Sequence, residues 1–309
     1  MSKIMEPIFI IGAARSGTKM LGNIFNMHPE VSYKGESNYI WRLENSNFKN
    51  DLLPVSVATK EVKNKIWEKF YSNIEKDKVL VEKTAANSLR LPFVLEIFSN
   101  AKLIHIVRDG RDVALSARKK WRGEFSDFEK EKLGKENEKK SIILRIWQRI
   151  ISGDIAVTEL HNYFFKGINI LKTHLGMSDS GIWGPRFPGI DELYKTHSLI
   201  EVCAFQWLNS VQSILNFHAN NQDIPYYLVK YEELTASPAE KIDEIFSFCE
   251  LDRTDNWSQI VASIKKGNSF KWKEQLTERE IYKVQNITAK ILDLLDYKLY
   301  NTKFGDRDG

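Results

Sequence analysis

The sequence has few cysteines and histidines, and none of them is arranged as a metal site. Cys203 and Cys249 stand alone, without the CxxC spacing or the nearby histidines that a bound metal needs. Isolated thiols are typical of a protein kept in a reducing compartment, so we expect both to be free and buried, with a disulfide as the alternative. The six histidines are scattered along the chain. No metal site is therefore predicted.

The chain also lacks a strong charge imbalance and a long apolar run. Its 309 residues include 45 basic and 41 acidic side chains, a net charge of +4. That excess is too small to favour nucleic acid as a partner, although a local basic site for a small anion is compatible with it. No run of about 18 apolar residues occurs, so no transmembrane segment is predicted. The N-terminal residues do not have the pattern of a signal peptide, and we expect a cytoplasmic protein.

Short apolar runs alternate with segments of helical periodicity along the chain. This alternation predicts an α/β fold with a parallel sheet, and we treat residues 1–309 as a single domain. The predicted strands are Ile8–Ile11, Val79–Val81, Leu103–Val107 and Tyr226–Val229. The predicted helices are Thr18–Met27, 60–76, Leu91–Phe98, Asp112–Lys120, 199–220, 238–249, 256–264 and 277–296.

Two segments interrupt the alternation. Residues 118–140 are heavily charged, which favours a solvated helix or a mobile loop over a partner site. Residues 173–198 are rich in glycine and proline and are predicted to form a long ordered loop. Long loops in compact domains are often functional, so the second segment is the more interesting of the two.

A glycine-rich loop, Gly12–Lys19 (GAARSGTK), lies between the first predicted strand and the first predicted helix. Glycines let backbone N–H groups turn inward to make an anion-binding nest, and the start of the helix adds positive potential. The spacing is close to the GxxxxGK[ST] nucleotide loop, but the last two residues stand in the order Thr18-Lys19. An ATP or GTP hydrolase needs that lysine on the β/γ-phosphates and the hydroxyl on Mg²⁺, so the swapped order disfavours such an enzyme.

Three segments, in this order, resemble the sulfotransferase family. Arg15–Thr18 (RSGT) is similar to the 5′-phosphosulfate loop [KR]-[ST]-G-T-[TS], with Lys19 replacing the last hydroxyl residue. Leu103–Ser116 (LIHIVRDGRDVALS) resembles the 3′-phosphate motif R-[DN]-x-[RK]-D-x-x-x-S. Lys265–Thr277 (KKGNSFKWKEQLT) resembles RKGxxGxWKxxFT, with Phe270 where the family often has glycine.

The resemblance implies a three-layer, P-loop-like α/β domain. It also implies a sulfotransferase that uses 3′-phosphoadenosine 5′-phosphosulfate (PAPS), releases 3′-phosphoadenosine 5′-phosphate (PAP) and needs no metal. Within the second motif we expect Arg111 and Asp112 to make structural ion pairs instead of binding the nucleotide. The nucleotide-binding residues that the resemblance implies are Arg15, Ser16, Gly17, Thr18, Lys19, Arg108, Ser116, Lys265, Lys266, Gly267 and Trp272.

Sulfuryl transfer needs a base for the acceptor proton and cations for the leaving oxygen. The segment His28–Glu36 (HPEVSYKGE) resembles the tyrosylprotein and bacterial glycan-type branch, in which Glu36 falls on the catalytic glutamate. A carboxylate in a partly desolvated cleft gains proton affinity, which suits a base; the alternative is a surface glutamate beside Lys34. Lys83, in VEKTAAN, falls where related enzymes carry a catalytic lysine, and Arg15 is the second expected cation.

The acceptor site is indicated only by composition. The string KTHL at 172–175 matches a cytosolic-branch motif but follows the 3′-phosphate motif instead of preceding it, so we treat it as chance. His174 could still line the acceptor cleft. Trp183 and Arg186 offer an aromatic platform and a guanidinium, which suit a sugar ring bearing an anionic group, or a phenol; the alternative is a core tryptophan with a surface arginine. We expect a small-molecule or glycan acceptor, with a glycan or glycolipid-type hydroxyl as the first choice. The alternatives are a P-loop nucleotide kinase or NTPase, and a catalytically silent nucleotide-binding regulatory module.

Overall fold

A computed structural model describes residues 6–75, 77–124 and 182–303. Within these ranges, five parallel strands form one sheet in the order β2-β3-β1-β4-β5. The strands are β1 Ile8–Ile11, β2 Val31–Lys34, β3 Val79–Glu82, β4 Lys102–Val107 and β5 Tyr226–Lys230. The helices are α1 Thr18–Asn26, α2 Asn38–Trp41, α3 Lys60–Tyr71, α4 Leu91–Ile97, α5 Gly110–Trp121, α6 Ile190–Thr196, α7 Leu199–Ala219, α8 Tyr231–Ala236, α9 Pro238–Phe248, α10 Trp257–Ala262, α11 Trp272–Gln275 and α12 Glu278–Leu294.

Alternate residues of the central strand β1 point to opposite faces of the sheet. Ile8 and Ile10 belong to the apolar core that α1 and α9 cover, whereas Phe9 and Ile11 belong to the core beneath α3 and α4. Successive side chains of a strand alternate in this way, so a strand with all four residues buried requires cover on both faces. The predicted three-layer α/β fold is confirmed.

The parallel pairing places the carboxyl ends of all five strands along one edge of the sheet. β1 is flanked by β3 and β4, with Ile8 opposite Val81 and Ile10 opposite Ile104. The chain goes from β1 to one side of the sheet and returns later to the other side. In such open α/β sheets, ligands bind beyond the carboxyl ends of the strands where the strand order reverses. The glycine loop follows β1 at this point.

Several elements of the fold differ from the sequence-based predictions. The edge strand β2 was not predicted, because only Val31 of its four residues is buried and the apolar signal is weak. The predicted loop 173–198 is wrong over its last part, where Ile190–Thr196 forms α6. Ile190 anchors this helix in the core, and acidic residues in its first turn favour the helix start. Residues 125–140 and 173–181 lie outside the described ranges.

The short helices α2, α8 and α11 were not predicted either, whereas the other elements follow the predictions closely. The helix expected over 60–76 ends at Tyr71, and the charged segment from 118 begins inside α5. Cys203 and Cys249 are both buried and free, as expected. In the part of the chain that is described, no helix is long and apolar enough to cross a membrane.

Candidate active site

The glycine loop is held close to its neighbours by two backbone positions that only glycine fits. Gly12 leaves β1 with φ 151°, and a Cβ there would lie 2.3 Å from the carbonyl oxygen of Ile106 on β4. Gly17 precedes α1 with φ 99°, and a Cβ there would lie 2.6 Å from the Tyr231 ring. Side chains rarely adopt such φ values, and neither position has room for a methyl group. The loop therefore packs directly against the ends of β4 and β5.

Arg15 and Ser116, 101 positions apart in the sequence, meet in this loop. The Nε atom of Arg15 donates a hydrogen bond of 3.0 Å to the Ser116 hydroxyl on α5. Arg108, directly after β4, donates from Nη1 to the Arg15 carbonyl oxygen at 3.4 Å. The structure thus brings together three of the residues for which the sequence predicted nucleotide binding.

The third motif closes on the same place. Nη2 of Arg108 donates to the carbonyl oxygen of Asn268, the residue that follows Gly267. The Arg108 guanidinium lies 4.6 Å from the centre of the Tyr231 ring, a cation–π contact. Arg108 is only 9% exposed. The segment after α10 is therefore held against the end of β4.

Two buried polar atoms of this cluster have no hydrogen-bond partner in the described part of the chain. They are the Ser16 hydroxyl oxygen and Nε of Arg108. Leaving a buried donor without a partner costs about 1–3 kcal/mol, so such atoms call for an explanation. A hydroxyl and a guanidinium are groups that bind phosphate oxygens. The cluster therefore fits an anionic ligand.

Asp112, at the start of α5, fixes the turn that contains Phe270. Its carboxylate accepts from the backbone N–H of Phe270 at 2.5 Å and of Trp272 at 3.0 Å, and it lies 3.4 Å from Nη2 of Arg108. Burial raises the pKa of Asp112, and the charge of Arg108 opposes that effect. Phe270 has φ 60°, a left-handed conformation in which a bulky residue is uncommon, at the position where glycine was expected.

Trp272 is packed inside the protein, and its contacts are those of a scaffold residue. It is 2% exposed, and its indole N–H donates to Asp109 at 3.0 Å. The Arg111 guanidinium lies 3.9 Å from its ring centre and pairs with Asp109 at 2.8 Å. The ion pairs expected of Arg111 and Asp112 are thus present, with Asp109 and Arg108 as partners. A direct contact between Trp272 and the nucleotide stays a prediction.

The lysines predicted to bind the nucleotide are placed on the surface. Lys265 and Lys266 are exposed, as is Lys19 in the first turn of α1, whereas Thr18 beside it is buried. Lys266 borders a groove of about 510 Å³, whose lining includes Pro238 and Ile264. In the order Thr18-Lys19, the buried position belongs to the threonine and the exposed position to the lysine.

Glu36 and Lys83 form an ion pair beside the glycine loop. Nζ of Lys83, directly after β3, donates to Oε1 of Glu36, and the backbone N–H of Ala85 approaches Oε2 at 3.4 Å. The Lys83 side chain is 5% exposed and that of Glu36 58% exposed. The candidate base therefore faces solvent and lies in a less desolvated place than the sequence argument assumed, while its cationic partner is buried.

A second carboxylate, Glu82, lies behind this pair and was missed by sequence reasoning. It is fully buried and accepts hydrogen bonds from the Trp41 indole, the Thr84 hydroxyl and the Asn87 amide. Burial raises the pKa of Glu82 to about 8, against the hydrogen bonds from Thr84 and Trp41, which lower it. A glutamate at the end of an otherwise apolar run was the only signal of it in the sequence.

The residues predicted to bind the acceptor are less well connected to this pair. The Arg186 guanidinium binds the Asp191 carboxylate through two contacts of 2.8 and 3.0 Å. The backbone of Arg186 pairs with Asp51, since Asp51 N–H donates to its carbonyl and its own N–H donates to the Asp51 carboxylate, both at 2.8 Å. Trp183 is half-buried, and its carbonyl accepts from Gln206 at 2.7 Å. His174 lies outside the described residues.

The sequence match to a family model decides the recognition. Residues 7–155, just under half of the chain, match the model described as the sulfotransferase family. The recognition of the sulfotransferase family is confirmed. The likeness to one particular branch stays a prediction, and a comparison with curated protein sequences finds no match. No group of three or more histidine, cysteine, aspartate or glutamate residues in the described ranges could hold a metal ion.

Solved sulfotransferase structures resemble this chain at low sequence identity. The sulfotransferase domain from the curacin biosynthetic pathway is 16% identical, with a TM-score of 0.54 over 97% of this chain and 100% of that one. The domain from the Synechococcus PCC 7002 olefin synthase is 14% identical, with a TM-score of 0.49 over 96% and 98%. Mouse sulfotransferase SULT7A1, complexed with PAP, is 12% identical, with a TM-score of 0.45 over 93% and 85%. At these identities, the first similarity establishes the fold alone.

Proposed function

We propose that the protein transfers a sulfuryl group from PAPS to the hydroxyl of a glycan or glycolipid-type acceptor. The observation that carries the proposal is the Glu36–Lys83 ion pair at the end of β3. β3 is the neighbour of β1, whose glycine loop holds Arg15 against Ser116. A base, a cation and a phosphate-binding loop thus stand at adjacent strand ends.

Arg15, Ser16, Arg108 and Ser116 are the groups that would hold the nucleotide. When bound, PAPS supplies an activated sulfur and a bisphosphate leaving group. The buried Ser16 hydroxyl and Nε of Arg108 offer hydrogen-bonding capacity that no residue in the described part of the chain uses. Charged donors held in a nearly dry site stabilise anionic oxygens strongly because little solvent screens them.

Glu36 is the group that would take the acceptor proton. Its carboxylate is exposed, so an acceptor hydroxyl can reach it, and Lys83 and Ala85 fix its position from the protein side. Taking up a proton neutralises Glu36 and weakens its attraction for Lys83. The Lys83 ammonium is then available to the oxygen on which negative charge develops.

The acceptor class is proposed from the segment around Trp183. Trp183 is half-buried and its backbone carbonyl accepts from Gln206, and its indole provides an apolar face of the kind that packs on sugar rings. The Arg186 side chain already neutralises Asp191, which disfavours a strongly anionic acceptor that would need that charge. The cytoplasmic location stays a prediction.

Turnover with labelled PAPS and a panel of glycans, glycolipids and phenols tests the proposal. We expect wild-type transfer to at least one sugar hydroxyl and a fall in kcat of about 10²–10⁴-fold for Glu36→Gln, the range for a general base. Glu30→Gln, at an exposed glutamate six positions earlier, is the matched control and should keep full activity. Undiminished turnover by Glu36→Gln would exclude Glu36 as the base, and transfer only to phenols would exclude the glycan class.

Ligand-dependent thermal unfolding separates this proposal from a nucleotide kinase or NTPase. A ligand that binds only the folded protein raises its stability by mass action. We expect PAP to raise the Tm without any metal, since the order Thr18-Lys19 disfavours a site for a Mg²⁺-bound nucleotide. Stabilisation by ATP with Mg²⁺ and not by PAP would favour the kinase or NTPase.

A further inference from the structure

Glu82 is a buried acid that the proposed reaction does not use. It is the last residue of β3, and its neighbour Lys83 carries the proposed catalytic charge. Consecutive residues of a strand point to opposite sides, so the Glu82 side chain turns away from the Glu36–Lys83 pair and into the protein. Burying a carboxylate costs folding free energy that its hydrogen bonds must offset, so such a residue calls for an explanation.

The hydrogen bonds of Glu82 lead back to the base. The Thr84 hydroxyl donates to Oε1 of Glu82 and accepts, at 2.8 Å, the backbone N–H of Ser37. A hydroxyl has a single proton, so once that proton points at Glu82 its lone pairs are turned toward Ser37. Ser37 directly follows Glu36. Glu82, Thr84 and Ser37 thus form one line of hydrogen bonds, here called the relay.

The same carboxylate also fixes the helix that follows the base. The indole N–H of Trp41, the last residue of α2, donates to Oε1 of Glu82 at 3.0 Å. The segment from Glu36 to Trp41 is therefore tied to Glu82 at both ends, once through Thr84 and once directly. On the far side, β2 and β3 pair with Lys34 opposite Glu82.

We propose that Glu82 is a positioning residue, which acts through Thr84 and the Ser37 backbone to set where the Glu36 carboxylate meets Lys83. The inference rests on the proposed function, because it assigns a purpose to Glu82 only if Glu36 and Lys83 do the chemistry. Misplacing a catalytic group by about 1 Å can cost about 10² in rate. A fixed backbone at residue 37 is one way to prevent that error for an otherwise exposed side chain.

The hydrogen-bond pattern explains why an ionised carboxylate, the form that predominates above the pKa of about 8, is needed at position 82 and not an amide. Oε2 accepts from the Asn87 side-chain N–H at 2.9 Å, and Asn87 cannot be turned round because its oxygen accepts from Arg90 Nε at 2.9 Å. A glutamine would have to direct its own NH₂ group at Asn87, or else at Trp41 and Thr84. Glu82→Gln therefore breaks part of the network although it keeps the shape.

Kinetics of matched variants test the relay. At a pH above about 8, where Glu82 is ionised, we expect Glu82→Gln and Thr84→Val to lower kcat by about 10- to 100-fold while the Kd for PAP changes less than about threefold. Thr84→Ser keeps the hydroxyl and should restore most of the activity. The kcat of the double variant Glu82→Gln/Thr84→Val should be no lower than that of the less active single variant, since both changes break the same line of hydrogen bonds. Glu201→Gln, which removes a hydrogen-bonded carboxylate on α7, is the control and should leave kcat unchanged.

Amide hydrogen exchange tests the relay without any turnover. The Ser37 N–H should exchange at least about tenfold faster in Glu82→Gln and Thr84→Val than in the wild type and Thr84→Ser. Amides of the central strand β1 should keep their protection in all four proteins. This outcome would separate a local loss of order from general destabilisation.

The two readouts distinguish the possible failures. Unchanged Ser37 exchange in Glu82→Gln and Thr84→Val would overturn the relay, whether or not the protein turns over PAPS. Lost Ser37 protection with unchanged kcat would show that the relay orders the backbone but does not position the base, which also overturns the proposal. Wild-type protein without sulfuryl transfer would refute the proposed function, and the positioning role would fall with it.

Discussion

Replacing Arg108 by alanine should separate the contributions of the two phosphates of the nucleotide. The guanidinium lies between the Arg15 carbonyl of the glycine loop and the Asn268 carbonyl of the third motif. The family resemblance assigns it to the 3′-phosphate. We therefore expect the variant to bind PAP much more weakly and adenosine 5′-phosphate almost as well as the wild type does.

The burial of Arg108 sets the size of the effect. The residue is 9% exposed, so solvent screens its interaction with an anion only weakly. A hydrogen bond to a charged group contributes about 1.5–3 kcal/mol, which corresponds to about 10- to 150-fold in Kd. We expect a rise of this size in the Kd for PAP, and a change below about threefold for adenosine 5′-phosphate.

The structural contacts of Arg108 require a control for stability. Its guanidinium also lies 3.4 Å from the Asp112 carboxylate and stacks on Tyr231, so alanine will lower the stability of the folded protein. Arg108→Lys keeps the charge but loses the planar fork, and should bind PAP with an affinity between those of the wild type and Arg108→Ala. Arg118→Ala is the control for the loss of a cation alone. Arg118 lies on α5, and its guanidinium pairs with Glu280 on α12.

Isothermal titration calorimetry of both nucleotides at one salt concentration provides the measurement. The temperature is chosen, from thermal unfolding, so that every variant is folded. Equal losses of affinity for PAP and for adenosine 5′-phosphate would refute the 3′-phosphate assignment. So would an Arg118→Ala variant that loses as much PAP affinity as Arg108→Ala, because the effect would then be one of general charge.

Two further predictions concern the stability of the fold around the site. Gly110→Ala should destabilise the protein by about 1–3 kcal/mol in urea unfolding, because its Cβ would lie 2.8 Å from the Trp207 ring; Gly35→Ala, whose nearest contact is 3.9 Å, should be nearly neutral. Burial raises the pKa of Glu82 to about 8, so between about pH 4.5 and 8 this residue holds a proton in the folded protein that it has lost in the unfolded chain. Stability should therefore fall as the pH rises through this window, by up to about 1.4 kcal/mol per pH unit, and Glu82→Gln should lack that component; an unchanged slope would contradict the buried titration.

The inner strands of the sheet could be predicted because their sequences are almost wholly apolar. β1 has both faces covered and is bounded by Pro7 and Gly12, which produces a run that only a buried strand explains. β2 gives no such signal, because at the edge of the sheet only Val31 needs to be buried. Helix α6 was hidden for a different reason, since glycine and proline dominate the residues before it.

The residues of the site could be predicted from the sequence, but the contacts that bury and connect them could not. The motifs named Arg15, Ser116 and Arg108, and these residues do lie together. The motif that contains Trp272 could not show that Asp109 and Arg111 enclose the Trp272 ring. These two residues lie at the start of α5, far away in the sequence. A motif records which residues recur at a site, whereas burial depends on what the rest of the fold places around each of them.

Glu82 illustrates the same limit from the opposite side. In the sequence, Glu82 is the second residue of VEKTAAN and directly precedes the predicted catalytic lysine. Its partners Trp41 and Asn87 come from a helix 41 positions earlier and a turn five positions later. The periodicity of a strand predicts that Glu82 and Lys83 face opposite ways, but only the packing of α2 shows what Glu82 meets.

The order of the strands also predicts the direction from which an acceptor must approach. Along the sheet edge, the groups follow the sequence Glu36 after β2, Lys83 after β3, the glycine loop after β1 and Arg108 after β4. Neighbouring strands lie about 4.8 Å apart, so Glu36 and Arg108 are separated by about 14 Å, three strand intervals. The proposed nucleotide site at β1 and β4 leaves the β2 side, where Glu36 lies, for the acceptor. Substitutions on this side should therefore alter the acceptor preference and leave the affinity for PAP unchanged.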